Sequence, residues 1–309
     1  MFVSERLNLT IPSPDNYRFY AIGGLTIRVG AELPFTADTF LPKFKIFRVA
    51  TPGPDLIQVT HHFSLPDLGW VDRSYPEYRQ SPWEIHHQGP EWLYLGIGVD
   101  QYDPRINNAA LFNEDHSRGD IFHLDDSAFQ AGQLGMLTLI PTDQILLARV
   151  LACRQACYLH ACGMVIRGHG LAFIGHSEAG KTTTARMLKD DGELLCDDRI
   201  ILRRWPEGFR IHGTWSHGDI PEVSAGSAPL RAVFLIEQAP ENRLIQLEPR
   251  QAIRTLPEFV VKPLVTRAWW ENVLDMLGAL VREVPVYRLR LDKSGAVRPL
   301  LHSFLDDLN

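Results

Sequence analysis

Eight consecutive residues, Gly175, His176, Ser177, Glu178, Ala179, Gly180, Lys181 and Thr182, set glycine, lysine and a hydroxyl at the spacing G-x-x-x-x-G-K-[ST]. That spacing suits a phosphate. Glycines let backbone N–H groups turn towards an anion, and the start of a helix adds partial positive charge. Lys181 reaches terminal phosphates and the Thr182 hydroxyl ligates Mg²⁺; with Thr183, positions 175–183 are the expected site for ATP. A second chemical pair follows. Asp197 and Asp198 stand between Leu194-Leu195 and Ile200-Ile201, and burying two carboxylates is costly unless they are paired or hold a cation. Beside a nucleotide, one can serve Mg²⁺, directly or through water, while the other takes a proton from a hydroxyl nucleophile. The residues leave open which does which.

These groups need a scaffold. Gly170–Ile174 reads as a short buried strand and Thr182–Lys189 as a helix with one apolar side, so the glycine-rich stretch joins strand to helix. Upstream, Pro141-Thr142-Asp143 starts a helix that runs over Gln144–Cys157 with apolar residues at helical spacing. Tyr158–Ile166 is a strand, and Arg167-Gly168-His169-Gly170 turns it into the next one as a β-hairpin. Gly192–Leu202 is expected to be one strand with both aspartates inside it. Glu248–Leu256 and Trp269–Val281 read as helices. Val284–Leu291 is an alternating strand, placed at a sheet edge by Pro285. Ala296–Leu305 is a short closing helix.

The first 140 residues differ in texture. Tyr17–Ile22, Leu25–Val29, Lys45–Val49, Leu56–Thr60 and Trp92–Gly96 alternate or run apolar between Pro, Gly and Asp, which predicts a mostly β, antiparallel, half-buried region. Pro104–Asp126 reads as a polar loop. His61-His62 and His86-His87 are neighbours on strands and point to opposite faces, so they are solvated or hydrogen-bonded rather than chelating. Trp70, Tyr75, Tyr78, Trp83 and Trp92 suit sheet packing more than a groove. The sequence assigns this half no role.

Hydrophobic residues make up 45% of the 309 and charged ones 22%, with a net charge of −6. These values fit a globular protein and exclude broad electrostatic binding of nucleic acid. No apolar run is long enough to span a bilayer, and the first residues lack a signal layout, so a cytoplasmic location without membrane contact is expected. The four cysteines, Cys153, Cys157, Cys162 and Cys196, show none of the usual zinc spacings and read as small buried thiols.

Leu159-His160-Ala161, the hairpin, Gly175–Thr182 and Leu195-Cys196-Asp197-Asp198-Arg199 together resemble the catalytic domain of HPr kinase/phosphorylase, which is related in fold to ATP-dependent phosphoenolpyruvate carboxykinase. His160 lies 21 positions before Lys181, and Asp197 lies 16 after it. The resemblance covers roughly residues 141–300 and is specific over 158–202. It implies an α/β P-loop domain with a mixed sheet over 141–309, preceded by the mostly β domain over 1–140. It also implies that His160 lies beside the γ-phosphate. Asp197 or Asp198 is then the base and the other aspartate serves the metal, so the catalytic set is Asp197, Asp198, His160 and Lys181, with Thr182 and Asp198 at Mg²⁺. Glu178-Ala179 replaces a more glycine-rich loop centre. His212–Asp219 and Ala228–Ile236 stand where that family carries its phosphorylase and HPr-contact segment. They look instead like kinase-like relatives found beside peptide-modification and other biosynthetic genes.

The sequence thus points to an ATP·Mg²⁺-dependent kinase acting on a hydroxyl, either a serine of a protein or peptide or a small molecule. The alternative is a nucleotide-binding regulator or scaffold without efficient transfer. A carboxykinase is disfavoured by the short chain and the lack of a metal-binding His and Lys set. Gly213–Gly218 is a candidate loop over the site, with Trp215 or His217 near a ligand, and Arg231 a weak candidate phosphate clamp. The sequence leaves self-association into a homo-oligomer open.

Overall fold

A computed structural model describes residues 13, 16–80, 83–97, 105–138, 143–263, 266–292 and 294–307. The predicted helix start at Pro141-Thr142 lies outside them. The chain divides into two compact units, Met1–Val150 and Leu151–Asn309.

The first unit is built on β1 (Tyr17–Ile22), β2 (Leu25–Ala31), β3 (Arg48–Val49), β4 (Leu56–His62), β5 (Tyr78–Gln80), β6 (Trp83–Gln88), β7 (Glu91–Ile97), β8 (Ile106–Asn113) and β9 (Arg118–His123). They form one nine-stranded sheet in the order β3-β1-β2-β4-β9-β8-β7-β6-β5. The sheet is mixed, not antiparallel throughout, because β2 pairs β4 and β4 pairs β9 in parallel. Ile27, Val29, Ile57 and Val59 are buried along its centre, as β-branched residues on a covered face should be. A short helix, α1 (Ser127–Ala131), follows β9.

Two further expectations fail in this unit. Pro42–Phe47 is a 3₁₀ turn, with Pro42 at its start and Phe44 and Phe47 buried, so only Arg48–Val49 of the expected Lys45–Val49 strand is extended. Residues three apart eclipse on such a turn, which puts both phenylalanines on one side. The expected loop around residues 104–126 instead carries β8 and β9, paired antiparallel. Asn107, Asn108 and Asp120 hide the strand signal there.

The histidines are structural. His61 Nδ1 pairs with His123 Nε2 at 2.8 Å, and its Nε2 donates to the Leu137 carbonyl at 2.9 Å. His62 bridges Glu32 and Asp120. His86 pairs with Glu84 at 2.8 Å, and His87 stacks on the buried Trp92. His61, His62 and His86 are buried rather than solvated.

Burial has a pH consequence. It lowers His61 and His116 to about 3 and His123 and His212 to about 4. An unfolded chain protonates these rings near pH 6.5, while the fold keeps them neutral, so the unfolded state binds protons first and stability falls as pH drops from 6.5 towards 4. His62 opposes this: burial pulls it down, but Asp120 and Glu32 hold it above its ordinary value. Each lowered ring removes roughly 2 kcal/mol by pH 5, so melting is expected to begin about 10 °C lower at pH 5.0 than at pH 7.5. A melting temperature unchanged between these pH values would contradict the burial argument.

The second unit follows α2 (Asp143–Ala152). Its strands are β10 (Ala156–Ile166), β11 (His169–Ile174), β12 (Gly192–Cys196), β13 (Arg199–Trp205), β14 (Gly208–His212), β15 (Ser227–Gln238), β16 (Arg243–Gln246) and β17 (Val286–Leu291). Its helices are α3 (Lys181–Met187), α4 (Pro249–Thr255), α5 (Arg267–Glu283) and α6 (Val297–Asp306). The sheet runs β11-β10-β13-β14-β15-β17-β16, with β12 also on β10, and β11 pairs β15 in parallel. The path from β11 through β10, β13, β14 and β15 therefore closes on itself.

Apolar residues on both sides of the strands make two cores. Ala172 and Ile174 of β11 pack with Leu256 and with Trp269, Val273, Met276 and Leu280 from α5. The alternate residues Leu171 and Phe173 pack with Ala185 of α3 and with Val297, Leu301 and Leu305 of α6. Alternation along one strand thus feeds a helix layer on each face. Cys157, Cys162 and Cys196 are buried, whereas Cys153 is exposed.

Two further corrections bear on the site. The expected strand 192–202 is two strands, broken at Asp197-Asp198. The expected edge strand is interior, because β17 lies between β15 and β16. Pro285 precedes it and supplies only its carbonyl, which accepts from the Val233 N–H at 3.1 Å, so its missing N–H costs no ladder bond.

Candidate functional site

The site is assembled by strand register. Arg167 and Gly168 both have positive φ, 52° and 80°, and form the tight turn between β10 and β11, a backbone twist that suits a two-residue hairpin. The hairpin returns the chain so that β11 ends at Ile174, where the glycine-rich loop begins. On the other side of β10, His160 is the direct partner of Arg199. The Ala161 N–H also donates to the Asp198 carbonyl at 3.0 Å. The break between β12 and β13 therefore lies beside His160, and the loop that ends in Lys181 lies one strand away.

Within the loop, Glu178 takes φ 67° and Gly180 φ 114°. Left-handed residues at these two positions turn the loop sharply, and between them the Ala179 N–H donates to the His176 carbonyl at 3.1 Å; turns of this kind form anion-binding concavities in other proteins. Glycine adopts the left-handed conformation freely; Glu178 takes it at a cost of order 1 kcal/mol. Lys181 is buried, and its ammonium donates to the carbonyls of Gly175 at 2.8 Å and His176 at 3.0 Å. Burial lowers its pKa, because charge is harder to hold away from water. Thr184 Oγ1 bonds back to the Gly180 carbonyl at 2.9 Å, which fixes the start of α3. The hydroxyl of Thr182 lines the adjoining cleft and has no partner among the described residues.

That cleft holds about 330 Å³. His160, Ser177, Glu178, Gly180, Lys181, Thr182, Thr183, Asp197 and Asp198 line it, together with Arg186, Gly218 and Asp219. Gly175, His176 and Ala179 belong to the loop behind it. His176 packs over Phe259 at 4.8 Å between ring centres.

The two aspartates have different surroundings. Asp197 is 2% exposed. Its oxygens accept from the Gly218 N–H at 2.6 Å and the Ile220 N–H at 2.9 Å. A side chain at Gly218 would come within 3.1 Å of that carboxylate, so glycine lets the amide approach. Asp198 faces the cleft: Oδ1 pairs with His160 Nε2 at 2.9 Å and Oδ2 with Arg199. Burial, then Lys181 and Arg199, lower His160 to about 4. The ring is therefore neutral, and its Nε2 N–H donates to Asp198, whose carboxylate lines the cleft.

Other candidates lie elsewhere. Trp215 is buried and packs inside the unit. His217 turns its Nδ1 to the Gly218 carbonyl at 3.1 Å. Arg231 donates to His169, which begins β11, at the end away from the loop. Arg186 and the Ile220 amide were missed by sequence reasoning. Arg186 had a signal, since it falls one helical turn after Thr182 and shares its face. The amide had none, because a backbone donor 23 positions from Asp197 leaves no mark in residue type. Among the described residues no helix is long and apolar enough to cross a membrane.

Comparison with known proteins adds a family. A family model described as SynChlorMet cassette protein ScmC matches residues 133–305, more than half of the chain. No curated protein matches the chain. Among solved structures, the Hpr(Ser) kinase/phosphatase from Coxiella burnetii is similar at 10% identity and a TM-score of 0.31, over 49% of this chain and 93% of that one.

Proposed function

This chain belongs to the family described as SynChlorMet cassette protein ScmC, and from its cleft we propose that it is an ATP-dependent kinase that phosphorylates a hydroxyl. One observation carries the reading. A loop with the spacing of a phosphate cradle, its lysine buried, shares a single cleft with the carboxylate of Asp198, which accepts from His160. A protein that only bound nucleotide would have no use for a proton acceptor placed there.

The chemistry follows from the groups present. The loop amides and Lys181 stabilise charge that spreads over the γ-phosphoryl oxygens. An acceptor hydroxyl oxygen forms the new bond to phosphorus as the bond to the β–γ bridging oxygen breaks and the diphosphate leaves. The hydroxyl proton passes to Asp198. His160 orients that carboxylate, and Asp197 fixes residues 218–220 as one wall. The donor set fits Mg²⁺, since the Thr182 oxygen is unpartnered at the cleft. Thr182, and Asp198 through water, would hold the ion, which neutralises phosphate charge when bound. The acceptor is a serine of a protein or peptide, or a small molecule.

Incubation with γ-labelled ATP, Mg²⁺ and candidate acceptors tests the proposal. Acceptor-dependent labelling is expected, and Thr182→Ala should raise the Mg²⁺ concentration needed for half-maximal rate about tenfold. Tight ATP binding with no labelled acceptor would favour a regulatory or scaffold role instead.

A further inference from the structure

A second cavity, of about 260 Å³, opens on the other flank of the glycine-rich loop. It shares Glu178, Gly180 and Thr183 with the phosphate cleft and adds Gln238, Leu291 and Asp292. It thus adjoins the place where the triphosphate is proposed to lie. Its walls are apolar where Ala179, Ala239 and Leu291 meet, and Leu291 packs close to Gly180. Such surfaces suit the faces of a flat ring.

Its fixed acceptors are Gln238 Oε1 and Asp292 Oδ2, beside the Thr183 hydroxyl and the second Gln238 N–H, which can donate. Gln238 Nε2 donates to the Glu178 carbonyl at 2.6 Å. That bond ties the side chain to the loop and leaves Oε1 without a partner among the described residues. Asp292 Oδ1 accepts from Asn242 Nδ2, the Ser294 N–H and Ser294 Oγ. These bonds lock the carboxylate, while Oδ2 has no partner among the described residues. The Ala239 N–H is already spent on the Leu291 carbonyl at 3.0 Å. Two fixed acceptors between apolar walls select a ring that carries an exocyclic amino group and disfavour one that presents a carbonyl there.

The geometry points to this cavity as the nucleobase subsite, with Gln238 and Asp292 reading the amino group of adenine. The inference rests on the nucleotide reading of the loop and names which nucleotide it takes. Inosine triphosphate is the discriminating probe, because its base has a carbonyl in place of that amino group and a hydrogen on N1.

Calorimetric titration of the full chain with ATP, inosine triphosphate and tripolyphosphate tests it. ATP should bind about tenfold more tightly than inosine triphosphate, roughly the worth of one hydrogen bond with its unpaired alternative. Ala239→Trp should weaken ATP about tenfold and leave tripolyphosphate unchanged, which also shows that the loop is intact. Asp292→Asn should bring ATP and inosine triphosphate within about threefold of each other. Equal affinity of the wild type for both nucleotides, or unchanged ATP binding by Ala239→Trp, overturns the subsite while the phosphate cleft stands. A wild type that binds none of the three overturns the nucleotide reading and the subsite with it.

Discussion

Lys181→Ala is expected to lower phosphoryl transfer about 10³-fold or more, equivalent to roughly 4 kcal/mol of transition-state stabilisation. The size follows from where the ammonium sits. It is buried, and its partners in the free protein are two loop carbonyls, Gly175 and His176. A cation in such a site interacts with phosphate charge more strongly than one in water, and it needs no reorganisation of solvent as charge moves. Losing it also unties the loop, so ATP affinity should fall about tenfold. Lys181→Arg should not rescue the rate, because a planar guanidinium cannot replace a compact ammonium between carbonyls at 2.8 and 3.0 Å. Single-turnover rates with labelled ATP, beside calorimetric affinities, separate the two losses. A Lys181→Ala enzyme that transfers at the wild-type rate would remove the cradle from the chemistry.

How much of this could be read in advance depends on whether the signal was local. The glycine-rich loop is a contiguous pattern with a mechanism attached. The hairpin turn at Arg167-Gly168 and the apolar stripe of α5 are equally local, and the sequence expectation places them correctly. Direction of pairing is not local: alternation in β2, β4 and β9 looks the same whether strands run parallel or antiparallel. β8 escaped notice because Ala109 to Phe112 are buried in succession, which destroys the two-residue period, and Asn107 and Asn108 make its start look like a loop. Pro285 misled because the rule about proline concerns its own N–H, and the strand begins one residue later.

The aspartate pair shows the limit most sharply. The pair stood out by residue type, but the contrast between its two environments did not. It is set by the Gly218 and Ile220 amides on one side of the break and by His160 and Arg199 on the other. None of these four is an immediate neighbour in sequence of the residue it serves except Arg199, which follows Asp198 directly.

That contrast makes a paired prediction. Asp198→Asn should lower transfer by about 10²–10⁴-fold at saturating Mg²⁺, the span of lost general-base catalysis, with ATP affinity altered only a few-fold. The amide keeps the shape but cannot take the hydroxyl proton. Asp197→Asn should act first on the fold. The buried carboxylate accepts two backbone N–H groups, at 2.6 and 2.9 Å. An amide has one acceptor oxygen and would turn its NH₂ towards the second donor. The loss is about 2 kcal/mol, seen as several degrees of melting temperature. Residues 218–220 would loosen with it, so KM for the acceptor should rise more than kcat falls. The contrast is the informative quantity. If Asp197→Asn abolishes turnover without lowering the melting temperature while Asp198→Asn stays active, the roles are reversed, and the amides at Gly218 and Ile220 must release Asp197 before each phosphoryl transfer.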